Sequence, residues 1–127
     1  MSFRAATLDD VEQFWFWRQM AEGKPWYEGK TTTRAQHGKW FAHRLGHITL
    51  LVWDDDHIGG SGVVRVDSNS ELAFDATHPR SMLEAFLAQW KGGRLKATVD
   101  QGDSVKALAL SEAGFGEYPV RFFCYRP

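Results

Sequence analysis

Two acidic residues, Glu71 and Asp75, lie in the segment ELAFDAT, whose composition is typical of a β-strand. Side chains of a strand alternate between the two faces of a sheet, so residues four apart point to the same face. Two carboxylates on one face can share a proton, and one of them can act as a general base toward a substrate, directly or through a water. In the other interpretation, both carboxylates simply face solvent.

The remaining catalytic and metal-binding patterns are weak. None of the five histidines pairs with another at a metal-ligand spacing supported by cysteine, so no metal site is expected. His43 and His47 are four residues apart, but Gly46 is expected to end the helix between them. The glycine-rich GGSG at 59–62 lacks the lysine and the helix that follow a phosphate-binding loop, and we interpret it as a strand bulge or turn. His78 precedes a proline and is interpreted as a loop residue.

Composition predicts a single domain over residues 1–127, because the chain is long enough for one core and too short for two. A net charge of −1 with scattered basic residues gives no electrostatic footprint for nucleic acid. No run approaches the ~18 apolar residues of a membrane span, so no membrane partner is expected. The single cysteine, Cys124, excludes an internal disulfide and fits a reducing compartment. We therefore expect a cytoplasmic protein, in the host cytoplasm if the gene is viral.

The hydrophobic pattern predicts an α/β (α+β) chain with about six strands and four helices. The predicted strands are 3–7, 47–53, 62–66, 71–77, 94–100 and 118–126, and the predicted helices are 8–20, 34–46, 80–93 and 103–115. The three central strands form an antiparallel meander. Helices then cover the two faces of a mixed sheet.

Local signals predict where the helices begin and end. Thr7 is a candidate N-cap with Asp10 three residues later, which is the spacing of a capping box. Gly46 is expected to end the second helix, and Gly114 to end the last one with a positive φ. Phe115 follows at once and is expected to be buried, so that it anchors the turn in the core.

The order of the elements, with DSVKALALSEAGF at 103–115, resembles the GCN5-related N-acetyltransferase (GNAT) superfamily over nearly the whole chain. The frequent family pattern there is Asn, apolar residues at helical spacing, then a small residue, Gly and Phe. Asp103 stands at the Asn position, and the rest of the pattern is matched by Val105, Leu108, Ala109, Ala113, Gly114 and Phe115. The resemblance implies a GNAT-like fold with a mostly antiparallel mixed sheet. It also implies an activity, the transfer of an acyl group from acetyl-CoA to a primary amine of a small molecule, amino sugar or protein.

The same resemblance implies a cofactor site where ELAFDAT meets the following helix. In this family the strand is splayed from its parallel neighbour, here RLKATVD, and its free backbone groups pair with the pantetheine arm. That role falls to Ala76 and Thr77. Arg80 and Ser81 fall at the helix N-terminus that holds the pyrophosphate, and Asp103 completes the implied cofactor-binding set.

Family members often carry a carboxylate on this strand, which makes Glu71 the preferred general base, with Asp75 on the same face. The first two helices of relatives that acylate amino sugars or protein termini form one wall of the acceptor site. By this resemblance the acceptor-binding residues are Trp26, Tyr27, His37 and Trp40. In the alternative interpretation, Trp40 belongs to the core together with Phe41, and His37 lies on the helix surface.

Two positions depart from the family pattern. Leu83 stands where a glycine normally lets the backbone approach phosphate, and it fits a core stripe with Phe86 and Leu87 instead. Leu110 stands where many members have the tyrosine that protonates the departing thiolate. A second hypothesis is therefore a GNAT-like binding module that engages a protein or sugar through an aromatic cleft of Trp26, Tyr27 and Trp40. A third is self-association, as a homodimer, through the edge of the last strand.

Overall fold

A computed structural model describes residues 2–27 and 29–117 and has the mixed α+β architecture that the sequence predicts. Its strands are β1 (Ser2–Ala5), β2 (Thr49–Asp55), β3 (Gly60–Val66), β4 (Glu71–Ala76) and β5 (Lys96–Ala97). Its helices are α1 (Val11–Glu22), α2 (Arg34–Arg44), α3 (Pro79–Gln89) and α4 (Ser104–Glu112). Four predicted helices and five of the six predicted strands are confirmed, and the sixth predicted strand, 118–126, lies outside the described residues.

The sheet has the strand order β1-β2-β3-β4-β5. The first four strands are antiparallel neighbours, and β5 joins β4 in parallel after the crossover through α3. The GGSG segment contributes a turn that ends at Gly59, where φ is +65°, and the first residues of β3. Gly62 lets β3 approach β4 closely, because a Cβ there would lie 2.5 Å from the carbonyl oxygen of Asp75.

Side-chain caps precede the first two helices, and Thr7 and Asp10 bracket a short 3-10 turn, Leu8–Asp10, that leads into α1. The carboxylate of Asp10 accepts a hydrogen bond from the backbone N–H of Thr7 at 2.8 Å and two from the guanidinium of Arg4, each at 2.8 Å. The hydrogen bonds from Arg4 hold the pKa of Asp10 below its ordinary value. At the start of α2, Thr33 and Gln36 form a reciprocal capping box. The chain before α1 and the start of α2 are thus fixed by side chains close in sequence.

Helices α1 and α2 cover one face of the sheet. Phe14 of α1 and the fully buried Phe41 of α2 lie 5.0 Å apart between ring centroids and pack on alternate residues of the central strands. The strand residues of this cluster are Leu50, Val52 and Val63. By the alternation of side chains, the same face carries Arg65, Glu71, Ala73 and Asp75.

Helices α3 and α4 pack against the opposite face and against each other. Met82 and Leu83 are fully buried and Phe86 nearly so, which confirms Leu83 as a core residue. From α4, Ala109 and Leu110 complete the cluster. Leu110 is 8% exposed, so its side chain contributes to the packing of this cluster.

The strand predicted at 94–100 is shorter than expected. It pairs with β4 only at Glu71–Lys96 and Leu72–Ala97, and the chain then leaves the sheet. This confirms that the two neighbours are parallel and diverge toward their C-terminal ends. The separation matters for function because an unpaired strand edge leaves backbone hydrogen-bonding groups without partners.

The end of α4 follows the sequence prediction in its backbone and departs from it in one side chain. Gly114 has φ +103°, and its N–H donates to the carbonyl of Ser111. The N–H of Phe115 reaches back to the carbonyl of Leu110 at 2.9 Å. Phe115 packs against the core but is half-buried rather than buried, because the helix ends at the edge of the cluster.

We predict that Gly114→Val lowers the free energy of unfolding by at least ~1 kcal/mol, because a β-branched residue is strained at positive φ. Chemical denaturation of the two proteins measures the difference. The matched control is Gly116→Val, at a glycine with no positive φ and with open space around it. Equal stability of the two variants would mean that the backbone at Gly114 does not require glycine.

Candidate functional site

A cavity of about 150 Å³ opens where β4 and the chain after β5 separate. We call it the slot. Its walls come from β4, from the segment that follows β5 and from the start of α4, and its lining residues are Leu72, Ala73, Phe74, Asp75, Thr98, Val99, Asp100, Asp103 and Lys106. The slot therefore lies at the one parallel junction of the described sheet, where its pairing ends at Leu72 and Ala97.

The backbone of β4 presents free hydrogen-bonding groups to the slot. The N–H of Thr77 donates to the carbonyl of Ser61 at 2.9 Å, and the N–H of Asp67 donates to the carbonyl of Glu71 at 3.1 Å. Because such groups alternate along an antiparallel strand, those of Phe74, which lines the slot, and of Ala76 face the other edge of β4, the edge from which β5 departs. The sequence assigned backbone pairing to Ala76 and Thr77. The geometry suits Ala76, whereas the N–H of Thr77 is already bonded to β3.

Asp75 and Lys106 form an ion pair at the slot. The Nζ of Lys106 lies 2.8 Å from Oδ1 of Asp75, and each side chain is 28% exposed. Burial raises the pKa of Asp75 above its ordinary value, and the positive charge of Lys106 acts in the opposite direction. Lys106 also lies 5.6 Å from the ring centroid of Phe74. A carboxylate with a raised pKa in a cavity is a candidate for proton transfer.

Glu71 lies at the other end of β4, where the strand is still paired with β5. Four residues of a strand place its Cα roughly 13 Å from that of Asp75. The two carboxylates share a face, as the sequence predicts, but they do not form a pair that could share one proton. Glu71 is also absent from the residues that line the slot.

A second, larger cavity of about 380 Å³ lies between the start of α3 and α4, and α4 lines both cavities. We call it the groove. Val105 and Leu108 of α4 line it and are 61% and 60% exposed. The sequence marked both as apolar positions of the closing helix, and only their neighbours Ala109 and Leu110 are buried. The groove therefore offers an apolar wall that the core does not use.

The N-terminus of α3 forms the other wall of the groove. Pro79 is the first helical residue and has no N–H, so the free donors of the first turn belong to Arg80 and Ser81. Both residues line the groove. The guanidinium of Arg80 is engaged twice, by Glu84 at 2.9 Å and by Glu112 of α4 at 2.8 Å.

Asp103 lies between the slot and α4. Its side chain accepts a hydrogen bond from the backbone N–H of Lys106 at 3.1 Å and so caps the helix. It also lines the slot. Asp103 therefore holds the turn that brings Lys106 to Asp75.

The loop between α1 and α2 places its two aromatic residues differently. Trp26 packs on Gly102, where any Cβ would overlap its side chain, and Gly102 directly precedes the slot residue Asp103. Tyr27 lies farther along, with the guanidinium of Arg18 at 5.7 Å from its ring centroid and its hydroxyl bonded to the carbonyl of Lys30.

His37 and Trp40 lie together on the inner side of α2. His37 is 7% exposed, and its ring lies 5.3 Å from that of Trp15 and 5.5 Å from that of Trp40. The interpretation of His37 as a surface residue is wrong. Burial lowers its pKa below the ordinary value, and its Nδ1 has no hydrogen-bond partner in the described ranges. Trp40 is half-buried, and no aromatic contact of the described residues joins it to Trp26 or Tyr27.

Within residues 2–27 and 29–117, no group of three or more His, Cys, Asp or Glu side chains is arranged to hold a metal ion. No helix in the described part of the chain is long and apolar enough to cross a membrane.

The described fold is similar to one solved structure, the crystal structure of a probable acetyltransferase. The TM-score is 0.64 at 14% sequence identity, and the alignment covers 100% of this chain and 97% of that chain. No protein-family model matches the sequence, and the search of curated proteins finds no match. The chain therefore has an acetyltransferase-like α+β fold, with four helices on a five-stranded, mostly antiparallel described sheet.

Proposed function

We propose that this protein is an N-acyltransferase that takes an acetyl group from acetyl-CoA and transfers it to a primary amine. The main support for the proposal is the slot. Strands β4 and β5 stop pairing after Leu72 and Ala97, and the cavity opens there. The free backbone groups of Phe74 and Ala76 suit the amide groups of a pantetheine arm, which is an extended chain that can pair like a strand.

The groove suits the rest of the donor. Its exposed apolar residues, Val105 and Leu108, can cover the methylene and dimethyl parts of pantetheine. At its other wall, the N–H groups of Arg80 and Ser81 point from a helix N-terminus, which favours a pyrophosphate. This proposed pyrophosphate site is weaker than a glycine-rich loop, because Pro79 donates no N–H and the guanidinium of Arg80 is shared between two carboxylates.

Asp75 is the proposed general base. The thioester supplies an activated acyl carbon, and attack by the amine forms a C–N bond and breaks the C–S bond. Asp75 takes the proton that the amine loses, directly or through a water. Lys106, at 2.8 Å from Asp75, holds the carboxylate in place and supplies positive charge near the departing sulfur. Trp26 and Trp40 remain proposed contacts of the acceptor, with His37 behind Trp40.

The proposal predicts that acetyl-CoA raises the melting temperature of the protein. A ligand that binds only the folded state stabilises it by ~2.7 kcal/mol at about 100 times its dissociation constant. In a domain of this size the stabilisation is a shift of several degrees. Differential scanning fluorimetry over micromolar to millimolar acetyl-CoA measures it, followed by an assay for free thiol released in the presence of a mixture of primary amines.

Free adenosine diphosphate is the control for the donor, because it has the pyrophosphate and lacks the pantetheine arm that the slot is proposed to hold. We expect it to give a smaller shift than acetyl-CoA. If millimolar acetyl-CoA and CoA leave the melting temperature unchanged, the acyltransferase proposal is wrong. The second candidate, a binding module that uses Trp26, Tyr27 and Trp40, would then take its place.

A further inference from the structure

Arg65 is the one charged residue in the sequence GSGVVRV of β3, and its side chain makes no hydrogen bond or ion pair with the described residues. It lies on the sheet face covered by α1 and α2, because it alternates with the buried Val64 and Val66 of the other face. Its Nε is buried and makes no hydrogen bond to the described residues. A guanidinium has five N–H donors, and a buried unpaired donor costs stability. A half-buried arginine without an acceptor therefore requires an explanation.

Trp40 of α2 contacts the guanidinium of Arg65. The Cζ of Arg65 lies 5.7 Å from the ring centroid of Trp40, within the range of a cation–π interaction. Such a contact fixes the position of the guanidinium and leaves its N–H groups available. Arg65 and Trp40 thus form a cationic surface beside α2, one of the two helices that the resemblance assigns to the acceptor site.

Arg65 is also next to the slot. Its partner across the β3–β4 ladder is Ala73, which lines the slot and has a small side chain. Asp75 is the diagonal neighbour, with a spacing of about 7–8 Å for such pairs. The charge of Arg65 acts on the carboxyl group of Asp75, lowering its pKa, although burial has the larger and opposite effect.

The acidic residues around Arg65 are used elsewhere or are not in ion-pair range. Asp67 accepts hydrogen bonds from the backbone N–H groups of Asn69 and Glu71. Asp75 is paired with Lys106. Glu71, on the other diagonal, makes no ion pair with Arg65 in the structure as described. An anion from outside the chain therefore has a guanidinium to bind.

We propose that Arg65 binds the carboxylate of the acceptor, so that the acceptors are small amines that carry a carboxylate, that is, small amino acids. This inference rests on the proposed function, since it takes Asp75 as the group that receives the proton of the acceptor amine. A small amino acid has both groups needed here: its amine would lie at Asp75 and its carboxylate at Arg65, and the molecule would span the short distance over Ala73. A guanidinium binds a carboxylate through two parallel hydrogen bonds, which gives direction as well as attraction.

The test compares acceptors that differ only in the carboxylate: β-alanine with propylamine, and glycine with glycinamide. In the wild-type protein we expect kcat/KM for the carboxylated member to exceed that of its partner by about tenfold or more, because a site built around a polar group rejects analogues without it. Arg65→Gln should raise KM for β-alanine and glycine about tenfold and leave propylamine within about twofold. Arg65→Lys should fall between, since an ammonium keeps the charge and loses the two-pronged geometry.

Arg44→Gln is the matched control, because it removes the same charge from an exposed position of α2. It should change neither acceptor class. If Arg65→Gln lowers kcat/KM equally for both members of a pair, or if the wild-type protein does not prefer the carboxylated member, the inference is wrong even though acyl transfer occurs. If Arg65→Gln does not fold, the inference is tested by Arg65→Lys and by the preference of the wild-type protein for the carboxylated acceptor.

A binding measurement separates this inference from the proposed function. Thermal shifts with β-alanine and propylamine at equal ionic strength need no acyl donor. Stabilisation of the wild-type protein by β-alanine, lost in Arg65→Gln, supports the carboxylate site whether or not acetyl-CoA binds. Equal shifts with the two amines, or no shift with either, overturn it. The titration with acetyl-CoA decides the proposed function independently.

Discussion

Asp75→Asn is expected to lower kcat for acyl transfer by about 10²- to 10⁴-fold, which is the usual contribution of a positioned general base. The amide keeps the shape of the side chain and an oxygen that Lys106 can bond, but it cannot accept the proton of an attacking amine. The thermal stabilisation by acetyl-CoA should remain, because the proposed donor contacts are the backbone of Phe74 and Ala76 and the groove. Steady-state kinetics with a saturating acceptor measures the loss.

Glu71→Gln is the matched control on the same strand face. The sequence favours Glu71 as the base, whereas the structure puts Asp75 at the slot and Glu71 at the paired end of β4. We expect Glu71→Gln to keep kcat within a few-fold of the wild type. A loss of turnover in Glu71→Gln with an active Asp75→Asn would reverse the assignment.

The pH dependence of kcat/KM gives a second measure of the same role. A general base acts when deprotonated, so activity should fall as the pH falls through the pKa of Asp75. Burial raises that pKa above the ordinary value of a carboxyl group, so the acid limb should lie above the range of an exposed aspartate. The charge of Lys106 lowers the pKa, and Lys106→Gln should therefore move the acid limb to still higher pH.

Much of the fold could be predicted from the sequence because its signals are local. Helical spacing of apolar residues and alternation in strands gave all four helices and the antiparallel meander. Thr7 and Asp10, only three residues apart, fix the short 3-10 turn Leu8–Asp10 that leads into α1, by hydrogen bonds within this short segment. The positive φ of Gly114 was predictable for the same reason.

The length of β5 could not be predicted, because it depends on contacts distant in sequence. The composition of RLKATVD suits a strand throughout, yet only Lys96 and Ala97 pair with β4. Beyond them the chain turns away toward α4, whose start packs near Trp26 from the first loop. A strand's partners, and not its own residues, decide where pairing stops.

The site was predicted in part. The shared face of Glu71 and Asp75 follows from strand alternation, but the choice between them depends on where β5 departs. Lys106 carries no sequence signal beyond its place one turn after the cap Asp103, and its pairing with Asp75 joins residues 31 positions apart in the chain. Arg65 does give a sequence signal, because it is the single charged residue among the buried valines of β3. The interpretation of His37 as a surface residue failed because helical spacing does not show how deeply a residue is buried. It cannot distinguish the half-buried Trp40 from His37, which lies beneath it.

Arg80→Ala and Glu112→Gln are expected to change the affinity for acetyl-CoA in opposite directions. Arg80 is the cation at the N-terminus of α3, and its guanidinium is shared between Glu84 and Glu112. Removing Arg80 leaves two carboxylates facing the proposed pyrophosphate site and should weaken binding about tenfold. Removing the charge of Glu112 frees one side of the guanidinium and relieves repulsion of the pyrophosphate, so binding should tighten by roughly three- to tenfold. Isothermal titration calorimetry at low ionic strength measures both dissociation constants.

Glu12→Gln is the matched control for Glu112→Gln. Glu12 pairs with Arg34 on the surface of α1 and α2, away from the groove, so the substitution removes the same charge from another exposed ion pair. It should leave the dissociation constant unchanged. Both effects at the groove should shrink as salt is raised, because the charges are exposed and the Debye length falls from about 10 Å at 0.1 M to about 3 Å at 1 M. If Glu112→Gln weakens binding as Arg80→Ala does, the predicted opposite effects are wrong. The ion pair between Arg80 and Glu112 would then act by holding α3 and α4 in place for the donor. The pyrophosphate would be bound by the backbone N–H groups of Arg80 and Ser81 without the guanidinium.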